Sequence, residues 1–422
     1  MSFVPEPLRI PAFRAYWVAR LAATIAQMAM VIVIGWQVYD IARETMDMRD
    51  AALRLGFIGV VQFVPLFALS LVAGWTADRV DRRYVARAAV ALELLCAATL
   101  AFVTWSDAMN LYWLYGIAAL LGVARAFAGP ALGALAPNLV PRALLPNAIA
   151  LSSIAWQTGT VIGPAVGGYL YAVSPATPYE ASALLFAVSL IGLFLIPPVE
   201  RAARKGGAGP WAEVGDGLRY VRRNRLVLGA ISLDLFAVLL GGATAMLPIF
   251  ARDVLNAGPE GLGHLRAAPA VGATLVAAWF AFRPLKTNVG IKMLVAVAVF
   301  GAATVGFGLS RSMPLSLACL FLLGAADMLS VYVRQSLIQI HTPDAMRGRV
   351  GAVSTLFISA SNELGEAESG FLAALVGPVV AVVGGGIGAI MVVGLWAWRF
   401  PELRLARSFD PPDVAAKRAK ES

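Results

Sequence analysis

Three arginines, Arg20, Arg125 and Arg334, stand inside long apolar runs of the chain, as do the acids Asp234, Asp327, Glu363 and Glu366. Ionisable groups at membrane depth are costly to hold and persist where they face a wet cleft, an ion pathway or an opposite charge. Proton binding and release is the chemistry open to them, because burial disfavours the charged form of a carboxyl and a nearby guanidinium restores it. Asp327, Ser330 and Arg334 share one helix face, and Arg20, Thr24 and Gln27 share another. Both stripes are expected to line a central cleft with Asp234, which falls at a depth similar to Arg20. Farther along, Asn362 and Glu363 precede Glu366; Glu363 and Glu366 share a face, and Glu368 lies well round the helix. The candidate proton carriers, in order, are Asp327, Asp234, Glu363 and Glu366. The alternative for each is a hydrogen bond that only packs helices. Gln27, Trp156 and Phe236 are candidate cleft-lining groups.

The elements that must position these groups follow from composition. The chain has 422 residues, 59% hydrophobic and 14% charged, with a mean hydropathy of +0.75, which excludes an ordinary soluble enzyme. Roughly 20 apolar residues make one span, and apolar runs lie at about 13–39, 53–77, 84–105, 110–136, 146–173, 179–197, 226–250, 261–282, 291–310, 314–340, 348–375 and 378–399. The expectation is an all-α integral membrane protein with twelve transmembrane helices. The first run is too long for a signal-peptide core and is expected to be retained. Alternate loops are lopsided: roughly 25 of the 34 Lys and Arg fall on the side holding both termini, which makes that side cytoplasmic. This accounts for the net charge of +9 without nucleic acid as a partner.

The longest break in hydrophobicity divides the chain into a six-helix bundle at 1–197, a cytoplasmic linker at 198–225 and a second six-helix bundle at 226–400. Gly206, Gly207, Gly209 and Pro210 mark the loop part of the linker. Its second part repeats apolar residues at Trp211, Val214, Leu218 and Val221, with arginines on other faces, so an amphipathic helix lying on the inner membrane surface is expected. Residues 401–422 are expected to be a disordered cytoplasmic tail. An internal repeat supports the division. Leu-Leu-Gly at 120–122 recurs at 322–324, and the same offset carries Pro141 onto Pro343 and Arg125 onto Asp327. A register between spans 1 and 7 likewise places Asp40 on Asp253. Parallel repeats related by a pseudo-two-fold axis along the membrane normal are a transporter architecture, with the substrate site near the midplane. The repeat nominates Asp327 as a partner for Arg125, either as a switchable pair or as a permanent structural one.

Between spans 2 and 3 the sequence GWTADRVDRR at 74–83 carries Gly74, Asp78, Arg79, Arg82 and Arg83 in the pattern Gly-x-x-x-Asp-Arg/Lys-x-Gly-Arg-Lys/Arg, with Asp81 where the pattern has its second glycine. In span 5, GTVIGPAVGG at 159–168 places Gly159, Gly163, Pro164, Gly167 and Gly168 in the pattern Gly-x-x-x-Gly-Pro-x-x-Gly-Gly. Glycines four apart let helix backbones approach closely in lipid, and the proline bends the helix, so this face is expected to slide or seal against a helix of the other half. Arg125 and Gly129 match Arg-x-x-Gln-Gly with Ala128 in place of the glutamine. These motifs resemble those of the major facilitator superfamily, the second of them its antiporter branches. With TPDAMRGRV at 342–350 and SNELGEAESG at 361–370, the string from about 10 to 400 is similar to the bacterial exporter group that contains the enterobactin exporter and the transmembrane secretion effectors. The resemblance implies the major facilitator fold, alternating access by rocking of two bundles, and proton-driven efflux. It does not imply enterobactin as substrate.

No phosphate-binding loop, metal-ligand spacing or nucleophile–base constellation is present in the sequence. Cys96 and Cys319 read as core residues, and His264 and His341 as isolated. The expectation is therefore no enzyme, no cofactor and no metal, with the proton gradient as energy source. The partners expected are protons, lipid and small amphipathic molecules such as drugs or siderophores, handled by a monomer in the bacterial inner membrane. An importer or uncoupled facilitator of the same fold, and a non-transporting receptor or assembly protein, are the competing readings.

Overall fold

The computed structural model describes residues 5–141, 144–198, 210–283, 285 and 287–409. Among the described residues the secondary structure is helical throughout: α1 (Pro11–Thr45), α2 (Met48–Arg79), α3 (Arg82–Trp105), α4 (Leu111–Leu135), α5 (Leu145–Val173), α6 (Thr177–Phe194), α7 (Pro210–Arg223), α8 (Arg225–Leu240), α9 (Gly258–Phe282), α10 (Val289–Leu309), α11 (Met313–His341), α12 (Asp344–Val376), α13 (Pro378–Arg399) and α14 (Pro401–Arg404). Short polar residues set the starts. Asp47, Asp81, Asn110 and Asn224 each accept a hydrogen bond from a first-turn N–H of the helix that follows, satisfying donors that have no partner within the helix. Pro11, Pro178, Pro378 and Pro401 open helices where a missing N–H costs nothing.

Nine helical segments among the described residues are long and apolar enough to cross a membrane. The other three expected spans are long helices as well, α5, α9 and α12. Their glycines, prolines, carboxyls and arginines dilute the apolar content. The chain is a multi-pass membrane protein.

The contacts separate two units, Met1–Gly207 with Phe250–Ala267, and Ala208–Ile249 with Ala268–Ser422. In the first, α1 packs on α5 and α6, and α3 packs on α4 and α6. In the second, α8 packs on α12 and α13, and α10 packs on α11 and α13. Counted as spans, 1–5, 1–6, 3–4 and 3–6 recur as 7–11, 7–12, 9–10 and 9–12, the pairing an internal repeat requires.

Three features differ from the sequence expectation. Span 7, expected unbroken over 226–250, stops at Leu240 and continues as a 3-10 turn at Ala243–Met246 and a π-helical turn at Phe250–Val254. The break falls on Gly241 and Gly242, where a Cβ would stand 2.5 Å from the Phe300 ring and would collide with Ser369 Oγ, respectively. Beyond it, Phe250–Ala267 packs with the first unit although it follows the linker in sequence. Second, α7 is packed into the second unit. Val221 lies in an apolar cluster with Val227, Ile231, Ile338, Val350 and Val353, with Leu218 against it. Asp216 pairs with Arg349 at 3.2 Å, and a Cβ on Gly217 would stand 2.7 Å from the Arg349 carbonyl. Of the apolar stripe read as a membrane-surface face, Leu218 and Val221 are protein contacts; the side chains of Trp211 and Val214 lie outside the described residues. Third, the tail expected to lack order from 401 is ordered to Phe409. Leu403 is buried in the core with Val289 and Met293, and the N–H groups of Asn288 and Gly290 donate to the carbonyls of Arg407 and Ala406. Residues 410–422 lie outside the described residues.

Candidate functional site

In the second unit α8 brings Asp234 against Arg334 of α11, in a hydrogen-bonded ion pair whose residues are only 5% and 3% exposed. One and two turns back along α11, Ser330 and Asp327 face the same way. Asp327 lies within the electrostatic reach of both Asp234 and Arg334. Asp234, Asp327 and Ser330 line a cavity of about 10 Å³ walled by Val238, Val297 and Phe300, about the room one water needs. Ser330 Oγ and Arg334 Nε are buried and have no hydrogen-bond partner among the described residues. One guanidinium thus faces two carboxyls, and a single proton brings the trio to neutrality. The expected one-face arrangement of Asp327, Ser330 and Arg334 is found, and Asp234 joins it.

In the first unit the polar groups form a chain across four helices. Gln27 of α1 donates through Nε2 to Glu93 Oε1 of α3 at 3.3 Å. Glu93 is 2% exposed and feels the charge of Arg125 on α4. Arg125 donates to Gln62 Oε1 of α2 at 2.9 Å. Asp327 was the partner nominated for Arg125; the structure gives Arg125 the Gln62 carboxamide and gives Asp327 the company of Asp234 and Arg334. A short distance along α1, Arg20 donates to Tyr16 Oη at 3.3 Å and lies 5.8 Å from the centre of the Trp156 ring. Tyr16 is itself held by the Leu132 carbonyl at 3.0 Å and Ser152 Oγ at 2.9 Å. Arg20 is thus held by an aromatic pair of its own unit.

Glu93 and Gln62 did not stand out in the sequence reading. The signal for Glu93 was present: it is the single acid of α3, inside ALELLCAATL, and the rule that picked out Asp327 applies to it equally. Gln62 has no such signal, since an uncharged amide in an apolar run is common. Glu363 is buried and Glu366 half-buried on α12, whereas Asn362 is exposed.

The motif at 74–83 is partly described. The side chains of Gly74, Asp78 and Arg79 lie outside the described residues. Asp81, the departure from the family pattern, is the N-cap of α3 and holds Arg83 in a two-pronged ion pair at 2.7 Å. Arg83 also donates to the Ile196 carbonyl, which ties the start of α3 to the end of α6. The glycine motif of α5 packs within its own half. A Cβ on Gly159 would meet the Thr24 side chain at 2.6 Å, one on Gly163 would meet Met28 Cβ at 2.6 Å, and one on Gly167 would meet Ala29 Cα at 3.0 Å, all on α1. The expected partner from the other half appears only at Gly168, whose Cβ would stand 2.8 Å from Gly263 Cα. Next to it, Tyr169 Oη hydrogen-bonds His264, and the two rings meet edge to face.

The family model for transmembrane secretion effectors matches residues 3–417. The enterobactin exporter of Shigella boydii is 27% identical over 413 residues, covering 96% of this chain and 95% of that one. Among solved structures, a bacterial homologue of the human lysosomal transporter Spinster superposes with a TM-score of 0.70 at 15% identity, over 94% of this chain and 98% of that one. A POT family transporter solved with 5-aminolevulinic acid gives 0.73 at 11% identity, over 95% and 98%. The fold is that of the major facilitator transporters, and the class is secondary transporter, not enzyme. The chain belongs to the transmembrane secretion effector family.

Proposed function

We propose that this protein exports small amphipathic molecules across the bacterial inner membrane in exchange for protons, by alternating access of a twelve-span monomer with both termini in the cytoplasm. The observation that carries this reading is the buried Asp234–Arg334 pair with half-buried Asp327 beside it, both carboxyls lining one small cavity. A permanent ion pair needs one acid; a second acid at the same guanidinium supplies a place for a proton to come and go. Asp327 is the carrier in this reading and Asp234 fixes Arg334. In the first unit Gln27, Glu93, Arg125 and Gln62 form a polar chain of their own, with Arg20 farther along α1. Export and the class of cargo are supported by the similarity to an enterobactin exporter along nearly the whole chain. The cargo itself is left open.

The test uses everted membrane vesicles acidified inside by respiration, with dye-reported pH followed as lipophilic cations, antibiotics and catecholate siderophores are added. Proton efflux that needs both the protein and one compound establishes antiport and names a cargo class. Asp327→Asn is expected to abolish that efflux while the protein remains in the membrane. Coupled efflux that survives this substitution would rule Asp327 out as the carrier. Flux without proton movement would point to a facilitator, and inward flux under the same gradient to an importer.

A further inference from the structure

The charges inside the spans of the first unit do not cancel. Arg125 has the charge of Glu93 within reach, but among the described residues no carboxyl pairs with Arg20. Its partners there are the Tyr16 hydroxyl, to which Nη1 donates at 3.3 Å, and the Trp156 ring, whose centre lies 5.8 Å from the guanidinium carbon. Neither carries a charge, and Arg20 Nε is buried with no hydrogen-bond partner among the described residues. A cation so placed inside a span is costly to hold unless it faces water or an opposite charge. Its mount is firm. Tyr16 is fully buried and tied to the Leu132 carbonyl and Ser152 Oγ, Trp17 Nε1 donates to the Leu151 carbonyl at 2.8 Å, and Thr24 Oγ1 donates to the carbonyl of Arg20 itself at 2.8 Å. These bonds fix α1 against α4 and α5 around the guanidinium. The ring beside it is open, since Trp156 is 42% exposed. Ser153, Trp156, Gln157 and Thr160 share one face of α5. Ser153 and Thr160 spend their hydroxyls on carbonyls one turn back, which leaves the exposed Gln157 as the amide of that face.

We propose that Arg20 and Trp156 form a cargo-recognition face of the first unit, and that the cargo they select is an aromatic molecule carrying a carboxylate. The inference rests on the reading of the chain as an exporter of small amphipathic molecules and narrows that class. The guanidinium offers a planar fork of donors that matches a carboxylate. Trp156 offers a ring on which the cargo's own ring can stack. Side by side they read the two ends of one molecule. A bound anion also neutralises a charge that has no acid of its own, so the face is at lowest cost when occupied. A cationic ring meets repulsion at Arg20, and a neutral ring gains the stacking alone.

Equilibrium dialysis of naphthoate, naphthamide and naphthylmethylammonium against the full chain in lipid nanodiscs, with empty nanodiscs as the blank, measures this preference. The parent is expected to bind naphthoate about tenfold tighter than the amide, with the ammonium weakest, since a charge-assisted fork is the stronger contact. Arg20→Gln should erase the preference, weakening naphthoate by about tenfold and the amide by less than about twofold. Arg20→Lys should keep the order of the probes and lose roughly threefold on naphthoate, having the charge without the fork. Trp156→Leu should weaken naphthoate and the amide alike, by roughly fivefold. An Arg20 that only holds helices together predicts no such split between probes. Absence of saturable naphthoate binding to the parent, equal binding of the three probes, or a preference that survives Arg20→Gln overturns the proposal. Should Arg20→Gln fail to fold, the order of probes in the parent and in Arg20→Lys decides, and a lost order in Arg20→Lys with the amide unchanged supports the assignment as well. Neither a proton gradient nor flux enters this readout, so its failure is distinct from a failure of coupled efflux.

Discussion

Arg334 and Asp234 show how unequal the members of one cluster can be. Both are almost fully enclosed and each is the other's close partner. Taking the close partner from a buried charge breaks its hydrogen-bonded pair and costs about 3–5 kcal/mol. Asp234→Ala should therefore lower the thermal unfolding midpoint in detergent markedly. Asp327→Asn, at a cavity wall and outside the close pair, should leave the midpoint within a degree or two of the parent at roughly neutral cost. Equal losses in the two variants would mean that Asp327 is a structural member of the pair and not an exchangeable one. At this scale the sequence was informative wherever charge broke an apolar run: Asp234, Asp327 and Arg334 were all visible, and Glu93 was visible by the same rule. Partnership was not. Arg125 meets Gln62 and Arg20 meets Trp156 because of how α1, α2, α4 and α5 rotate against one another, and one string does not fix those rotations.

Helix α5 shows the same limit among elements. Its glycine spacing reads as a close-packed face, and close packing is found; the partner is α1 of the same half. Gly163→Leu should drive α5 from α1, where even a Cβ meets Met28 Cβ at 2.6 Å and the Ile25 carbonyl at 2.7 Å. Overpacking of this kind costs roughly 1–3 kcal/mol. Gly116→Ala on α4 is the contrast, since its added methyl meets nothing within 4 Å. It should hold or raise the midpoint, as alanine favours helix by roughly 0.5–1 kcal/mol. A thermal series monitored by size-exclusion chromatography separates the two, and comparable losses would sink the packing account of α5. The spans themselves were legible, because a run of apolar residues is a local property. The interruption after Leu240 was hidden by surrounding Leu, Ala and Val. Only Gly241 and Gly242 announced it. At the far end, α14 returns to α10, and Glu402 bonds Arg225 at 2.6 Å. The Glu402 carboxyl is held below its usual range, first by a backbone N–H and further by Arg225. With the folded value depressed, its contribution to stability is complete above the ordinary glutamate value of about 4.3 and fades as pH falls through the folded value. Protease sensitivity near residue 405 should rise below that pH in the parent, and Glu402→Gln should show the raised sensitivity already at neutral pH.

Across the whole molecule the units defined by contact and the halves defined by repetition are not the same. The linker divides the sequence at 198–225, yet Phe250–Ala267 completes the first unit and α7 is built into the second. A gene cut between residues 207 and 208 should give two fragments that accumulate in the membrane together and far less when expressed singly. Full accumulation of residues 1–207 alone would show that the borrowed segment is dispensable. The backbone approach of Gly168 to Gly263 carries a consequence for descent. If two copies of one ancestral six-helix unit were fused, each would once have closed its own seam. Here the later copy supplies the patch for the earlier one, as a sleeve sewn to the opposite coat would, so the first half leans on the second, and swapping either for a cousin's half should carry both sides of that stitch along.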